Sequence, residues 1–362
     1  MNLELTEEQI ALRDTVRQFL AEKASVAAHV RPLLDDPTGT TDVVWRGLAD
    51  LGATGVLVPS DHDGAGMTMV EAGIVAEELG AALNPGPWLS SAVAATRALT
   101  RTGAGSDLLS EIACGTEVVT VGPLTGARPA ANGEEVRGVL TAAPDVAAAT
   151  VLLVLADEPA GTALYAVDPT SSDVTVTARP HVDPTRKLFD VVLDDVQSRR
   201  LADASAGAIE GLVDDVLIAN AADALGAATA VMNLAVEYAK VRRQFDQPIG
   251  SFQAVQHLCV DMYEAVELAR SGVIHALWAA DAAEPDERRR AALRAKAFAG
   301  RLTSVGDTAI QVFGGIGFTW EHDAHLYLKR LLGWSAFLGA PDRYLEEVGA
   351  YLVRDLDRKV LP

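Results

Sequence analysis

The stretch Val241–Met262, VRRQFDQPIGSFQAVQHLCVDM, decides how this chain is read. It lies between two long helical patterns, and little of it serves a hydrophobic core. Arg242 and Arg243 stand side by side, followed by Gln244 and Phe245. That grouping suits an anionic group beside a flat aromatic one. Pro248 and Gly250 break one helix and open the next. Gln253 and Gln256 share a face of the new helix, because residues three apart are neighbours on a helix surface. Taken alone, the stretch also fits an ordinary helix–turn–helix corner with solvated arginines.

Working outward, the helical period runs from Asp203 to the C-terminus and predicts a bundle of four or five long helices over 203–362. Pro285 and Gly314-Gly315-Ile316-Gly317 punctuate it. Upstream, 116–202 holds short β-prone runs at Val118–Val121, Val136–Leu140, Val151–Leu155, Ala163–Val167, Val174–Ala178 and Phe189–Leu193. Turn residues separate these runs, which predicts a small antiparallel sheet or barrel. Residues 1–115 are mainly helical. Thr6 is an N-cap with Glu7 and Glu8 in the first turn. A second helix covers roughly Thr41 to Leu51, another starts near Thr68, and a further pair runs from Pro85 to about Ile112. The expected class is therefore α+β, mainly α: a helical domain over 1–115, a small antiparallel β-domain over 116–202 and a helical bundle over 203–362.

Composition narrows the function. The chain has 362 residues, 50 acidic against 30 basic side chains and a net charge of −20. No basic field exists to draw nucleic acid. Cys114 and Cys259 stand far apart, which fits a reducing compartment without a disulfide frame. The acidic, amphipathic N-terminus is no signal peptide, and no apolar run is expected to span a membrane. The expected location is the cytoplasm. Asp61, His62 and Asp63 read as polar turn residues. His322 and His325 lack a third ligand at suitable spacing, so no metal site is expected. His257 reads as a helix-interface histidine. There is no support for Ser-His-Asp catalysis, and no G-x-G-x-x-G follows a strand.

Two motifs carry a resemblance. One is R-x-Q-F-x-x-P-I-x-x-F-Q-x-x-Q, at Arg242, Gln244, Phe245, Pro248, Ile249, Phe252, Gln253 and Gln256. The other is Q-x-x-G-G-x-G-F-T, at Gln311, Gly314, Gly315, Gly317, Phe318 and Thr319. With the Pro, Gly-rich turn and Glu-Glu-Leu-Gly of Leu51–Gly80, they make nearly the whole chain resemble the acyl-CoA dehydrogenases. The resemblance implies an acyl-CoA substrate, FAD as cofactor and oxidation to a 2-enoyl thioester. In that chemistry a glutamate removes the α-proton while hydride leaves the β-carbon. Electron transfer flavoprotein is the implied acceptor. Arg242, Gln244, Phe245, Gln253, Gln311, Gly314 and Gly315 are the implied FAD-binding residues, reaching into a neighbouring subunit's site.

Departures from the family pattern form a set. The usual Glu-Gly-Thr is replaced by Leu338-Gly339-Ala340, and the alternative base position holds Val216. Asp214 and Asp215 are the weak remaining carboxylate candidates. Leu217 stands where an arginine often helps hold CoA. The Thr-Glu-Pro stretch of the β-domain is replaced by Val121-Gly122-Pro123-Leu124-Thr125-Gly126-Ala127, and no W-I-T strand occurs near Thr141–Pro144. What is lost acts within a subunit's own site; what is kept reaches into a neighbour's. The pattern, with the ending Phe337–Ala350, resembles the non-catalytic type of subunit in α2β2 steroid side-chain dehydrogenases of actinobacteria. The expected partner is a related subunit carrying the glutamate. Three other readings are weighed: a homotetramer with Asp214 or Asp215 as base, a flavin-free partner-binding relative, and an acidic helical scaffold, which the paired motifs disfavour.

Overall fold

The computed structural model describes residues 4–360. The first section is helical: α1 (Glu7–Lys23), α2 (Asp42–Asp50), α3 (Met69–Ala81), α4 (Thr96–Thr102) and α5 (Ser106–Ala113). Thr6 and Thr68 both cap in reciprocal fashion. Each hydroxyl accepts from a backbone N–H of the first turn, while Gln9 or Glu71 reaches back to the cap backbone. A wide π-type turn over Leu89–Ala95 leads directly into α4.

Eight strands follow: β1 (Val119–Gly122), β2 (Ala130–Asn132), β3 (Glu135–Pro144), β4 (Val151–Glu158), β5 (Gly161–Val167), β6 (Val174–Arg179), β7 (Leu188–Gln197) and β8 (Arg199–Asp203). Their order is β6-β7-β3-β2-β4-β5-β8, with β1 beside β4. Most pairings are antiparallel, as the alternating runs predict. The β1–β4 pair and the single β2–β4 bridge are parallel, so the sheet is mixed rather than wholly antiparallel. The reason lies in β4, which is buried on both faces. Leu153 and Leu155 pack with α4 and α5, while Leu152, Val154 and Ala156 face a second apolar cluster within the sheet. A strand of period two serves two cores only if both sides are covered.

The last section contains α6 (Ala206–Val241), α7 (Gln253–Ala282), α8 (Pro285–Ala297), α9 (Ala299–Phe313), α10 (Ala324–Ala336) and α11 (Pro341–Val360). Six helices are described where four or five were expected, because Pro285 at a first turn and the Phe298 junction divide one pattern into three. By length and composition α6 is apolar enough to cross a membrane, contrary to expectation. Here it is the spine of the bundle, and most of its apolar stretch is buried. Two glycines seat α3 against it. A Cβ at Gly80 would stand 1.9 Å from the Asp223 carbonyl oxygen, and one at Gly226 would stand 1.9 Å from that of Glu77. The Glu-Glu-Leu-Gly signal is thus a close helix crossing. It is braced by Glu78 with Arg17 at 2.7 Å and Glu77 with Arg270 at 2.7 Å.

Candidate functional site

The arginine-aromatic stretch forms a projecting arm. α6 stops where the Arg242 N–H donates to the Tyr238 carbonyl (2.8 Å), and the Ile249 N–H returns to the Arg242 carbonyl (2.7 Å). Between them β9 (Arg243–Gln244) and β10 (Gln247–Pro248) pair antiparallel. The two turn residues, Phe245 (φ 49) and Asp246 (φ 63), lie in the left-handed region. A two-residue turn of this kind ordinarily takes Asn or Gly. A phenylalanine there is strained, and the Arg243 guanidinium holds the turn by donating to the Asp246 carbonyl. Phe245 meets Phe252 edge-on at 6.1 Å yet remains 86% exposed. Arg242, Gln244 and Gln253 are also exposed. The Arg242 side chain has no hydrogen bond or ion pair among the described residues. Gln256 tethers the loop instead, donating to the Gly250 carbonyl at 2.9 Å.

The glycine motif sits at the same end of the bundle. α9 ends at Phe313, and Gly314 (φ 65) starts a tight turn through Phe318. Gln311 and Gly315 are exposed, and Gly314 is partly so. A Cβ on either Gly314 or Gly315 would meet nothing within 4 Å. These glycines therefore leave the outside of the turn bare, as close approach by a ligand requires. Phe318 and Trp320 stand beside it, 68% and 61% exposed. The ring of Tyr238, one turn before Arg242, lies 5.0 Å from that of Phe313. The motifs are distant in sequence and adjacent in space. An exposed guanidinium, exposed rings and bare backbone fit a pyrophosphate joined to flat ring systems, which is the form of FAD.

The positions that the family resemblance assigns to the base lie elsewhere. Val216 is buried on α6, and Leu338 (φ 54) packs against the same apolar cluster. Val216 also lines a cavity of about 70 Å³, together with Leu124, Pro144, Trp334 and Phe337. Pockets for drug-sized ligands run to roughly 300–1,000 Å³, so this space holds no flavin ring with an acyl chain. Asp214 and Asp215 do not line it. Asp214 pairs with Arg289 (2.8 Å) and Arg288 (3.4 Å) of α8, and Asp215 with Arg101 (2.7 Å) and Arg97 (3.6 Å) of α4. Burial pushes both carboxyls up, opposed by these arginines. Adjacent helix positions point about 100° apart, so the pair splits between two interfaces and joins neither base position.

Reading by motif passes over a buried charge network beside this cavity. Arg330 of α10, 2% exposed, donates to Asp223 (2.9 and 3.0 Å), Asp183 (2.9 Å) and Thr185 (2.6 Å). Arg186 reaches Asp223 at 2.5 Å. Burial pushes the Asp223 carboxyl up, but Arg186 and Arg330 outweigh it and bring it below the usual range. Asp145, held by the Ser90 hydroxyl, is instead pushed up by burial. The only local signal was the charged turn Asp183-Pro184-Thr185-Arg186-Lys187; its partners lie far away in the chain. His257 is exposed, Asp61 and His62 are 4.0 Å apart, and no group of three metal-ligating side chains occurs among the described residues.

Comparison with known proteins agrees with this geometry. The acyl-CoA dehydrogenase N-terminal domain matches residues 6–110, and the acyl-CoA dehydrogenase C-terminal domain matches 217–351. Acyl-CoA dehydrogenase IpdE2 of Mycolicibacterium smegmatis is 34% identical over 96% of this chain and 99% of its own length. Among solved structures, the Tcur3481-Tcur3483 steroid ACAD superposes with a TM-score of 0.87 at 27% identity, covering 97% of this chain and 99% of that one. The ChsE4-ChsE5 complex of Mycobacterium tuberculosis gives 0.88 at 25%, covering 98% and 99%. With both ends matched and the layout retained throughout, the chain belongs to the acyl-CoA dehydrogenase family of FAD-dependent oxidoreductases.

Proposed function

We propose that this chain is one subunit of a heteromeric acyl-CoA dehydrogenase, and that its arm completes the FAD site of a related, catalytic subunit. One contrast carries the reading. Both base positions, Val216 and Leu338, are apolar and pack in one hydrophobic cluster, and Val216 lines a cavity of about 70 Å³. Arg242, Phe245, Gln311 and Gly315, by contrast, stand exposed together at one end of the bundle.

FAD, when bound, supplies the two-electron sink for desaturating an acyl thioester. This chain's residues bind and orient. Arg242 would hold the phosphates and Phe245 a ring, while Gln311, Gly314 and Gly315 would offer an amide and bare backbone. Gln244 and Gln253 add polar contacts. A carboxylate of the partner would take the proton, since Val216 and Leu338 leave none at the base positions among the described residues. An acyl-CoA with a bulky polycyclic or branched acyl group is the proposed substrate, supported by the likeness to a steroid ACAD. Electron transfer flavoprotein is the proposed acceptor.

Measuring FAD content and acyl-CoA oxidation for the chain alone, and after co-expression with a related subunit bearing an intact glutamate, tests this. Flavin and activity are expected only in the pair. A yellow, active homomer would favour the homotetrameric reading, and a colourless preparation in every combination the flavin-free one.

A further inference from the structure

The arm carries two adjacent arginines, and the structure gives them different surroundings. The Arg242 side chain bonds to nothing among the described residues. The Arg243 side chain folds back on its own hairpin, where its guanidinium donates to the Asp246 carbonyl. Arg243 stands opposite Pro248, and Gln244 opposite Gln247, so Phe245 and Asp246 alone make the turn. Each strand has two residues, and the next backbone bond is that of the Ile249 N–H to the Arg242 carbonyl at 2.7 Å. A hairpin this short is marginal in water without further support.

The turn is also strained. Both of its residues have positive φ, 49° and 63°, and neither is glycine. Aspartate tolerates left-handed backbone; phenylalanine has no side-chain group that compensates. The Phe245 ring gains little packing in return, since it meets Phe252 edge-on and is otherwise exposed. Strain without a packing reward persists only where something else fixes it, and such places cluster at ligand clamps. Here the Arg243 guanidinium ties the second turn residue to the first strand. The Gln244 side-chain amide braces the same strand by donating to the Arg243 carbonyl at 2.9 Å.

We propose that Arg243 is the positioning residue of the arm: it holds the left-handed turn that presents the Phe245 ring to the flavin, and it is not itself a phosphate ligand. This rests on the arm's role in the proposed function and divides the work of the two arginines. Arg242 meets the anion, and Arg243 shapes the loop beside it. A loop held beforehand in its bound conformation binds more tightly, because less order is lost on binding.

The dissociation constant of FAD from the assembled complex, read by flavin fluorescence, tests this. Arg243→Ala should raise it about three- to tenfold, with the fold intact by circular dichroism. Glycine takes positive φ freely, so Asp246→Gly forms the turn without a clamp. Added to Arg243→Ala, it should bring the constant back to within about twofold of wild type, whereas alone it should change it by less than about twofold. Loss of the Asp246 charge acts equally in both backgrounds, so only a selective rescue supports the clamp. Wild-type FAD binding in Arg243→Ala, or a loss that Asp246→Gly does not selectively restore, overturns the positioning role; the second result would put Arg243 on the ligand. Arg242→Ala and Phe245→Ala read the arm itself. If both bind FAD as wild type does, the arm has no part in the flavin site and the proposed function fails at that point, with Arg243 left nothing to position.

Discussion

Tyr238 and Phe313 stack with ring centres 5.0 Å apart and planes tilted by 49°. The contact joins the last turn of α6 to the last residue of α9, so the arginine arm and the glycine turn are held as one unit. Phe313 is 4% exposed and also lies 4.3 Å from the His322 ring. Phe313→Ala should therefore cost about 3–5 kcal/mol of stability, the usual loss for a buried aromatic. It should also lower FAD content in the assembled complex. Urea denaturation and flavin absorbance measure the two effects. Loss of stability with undiminished flavin would show that the two motifs do not act together.

Arg242→Ala should separate binding from folding. The side chain is exposed and makes no ion pair among the described residues, so stability should change by less than about 0.5 kcal/mol. A charge-assisted bond to phosphate contributes about 1.5–3 kcal/mol, so FAD should be held roughly tenfold to a hundredfold more weakly. Gel filtration of the complex followed by flavin quantification gives the answer. Unchanged flavin retention would remove Arg242 from the site.

Arg330→Ala should do the opposite. It would leave Asp183 and Asp223 buried, with only Arg186 remaining to Asp223. Removing one partner of a buried ion pair costs about 3–5 kcal/mol. The loss should appear as a lower denaturation midpoint. A variant with wild-type stability would mean that water reaches the two carboxylates.

These cases show what a reading of residues reaches. Thr6, Thr41 and Thr68 announce helix starts because an N-cap acts within one turn. Six strands announce themselves through β-branched runs. β2, with Ala130-Ala131-Asn132, and β8, with Arg199-Arg200-Leu201-Ala202-Asp203, carry no such signal; pairing alone makes them strands. The adjacency of Asp214 and Asp215 invites a shared role, yet helix geometry sends them to different arginines. Arg330 with Asp183 and Asp223 is invisible beforehand because 147 and 107 residues separate the partners. The arginine arm was legible because its arginines and phenylalanine have no packing reason to cluster, and the glycine turn only through its likeness to the family's motif.

Lys296 makes a pH prediction with a definite sign. Its pKa is about 7 in the folded chain, against an ordinary lysine value of 10.5. Between those values the unfolded chain holds a proton that the folded chain has lost, so stability rises with pH across that window. Below about pH 7 both states are charged, and the whole cost of burying the ammonium is felt. Lys296→Met should remove this slope, giving a variant relatively more stable in the acid half than wild type. Denaturation midpoints measured across the window test it; a slope that survives the substitution belongs to another group.

Leu338→Glu puts a carboxylate where the family resemblance places the base, and it should not create a working enzyme. The side chain packs against the cluster holding Val216, on a backbone of positive φ that the Tyr344 bond fixes. A glutamate there would enter apolar surroundings, which push its pKa up and disfavour the ionised base. More decisive is space. The adjoining cavity is about 70 Å³, and its Trp334 wall is held by Lys296. A proton is abstracted only when base and α-carbon stand within ångströms of each other, and this volume is too small for an acyl thioester together with a flavin. The variant alone should therefore give no acyl-CoA-dependent reduction of an electron acceptor. Turnover by Leu338→Glu without a partner would mean that the cavity opens to admit both flavin and substrate, and the subunit would then have to be regarded as a complete enzyme lacking one residue.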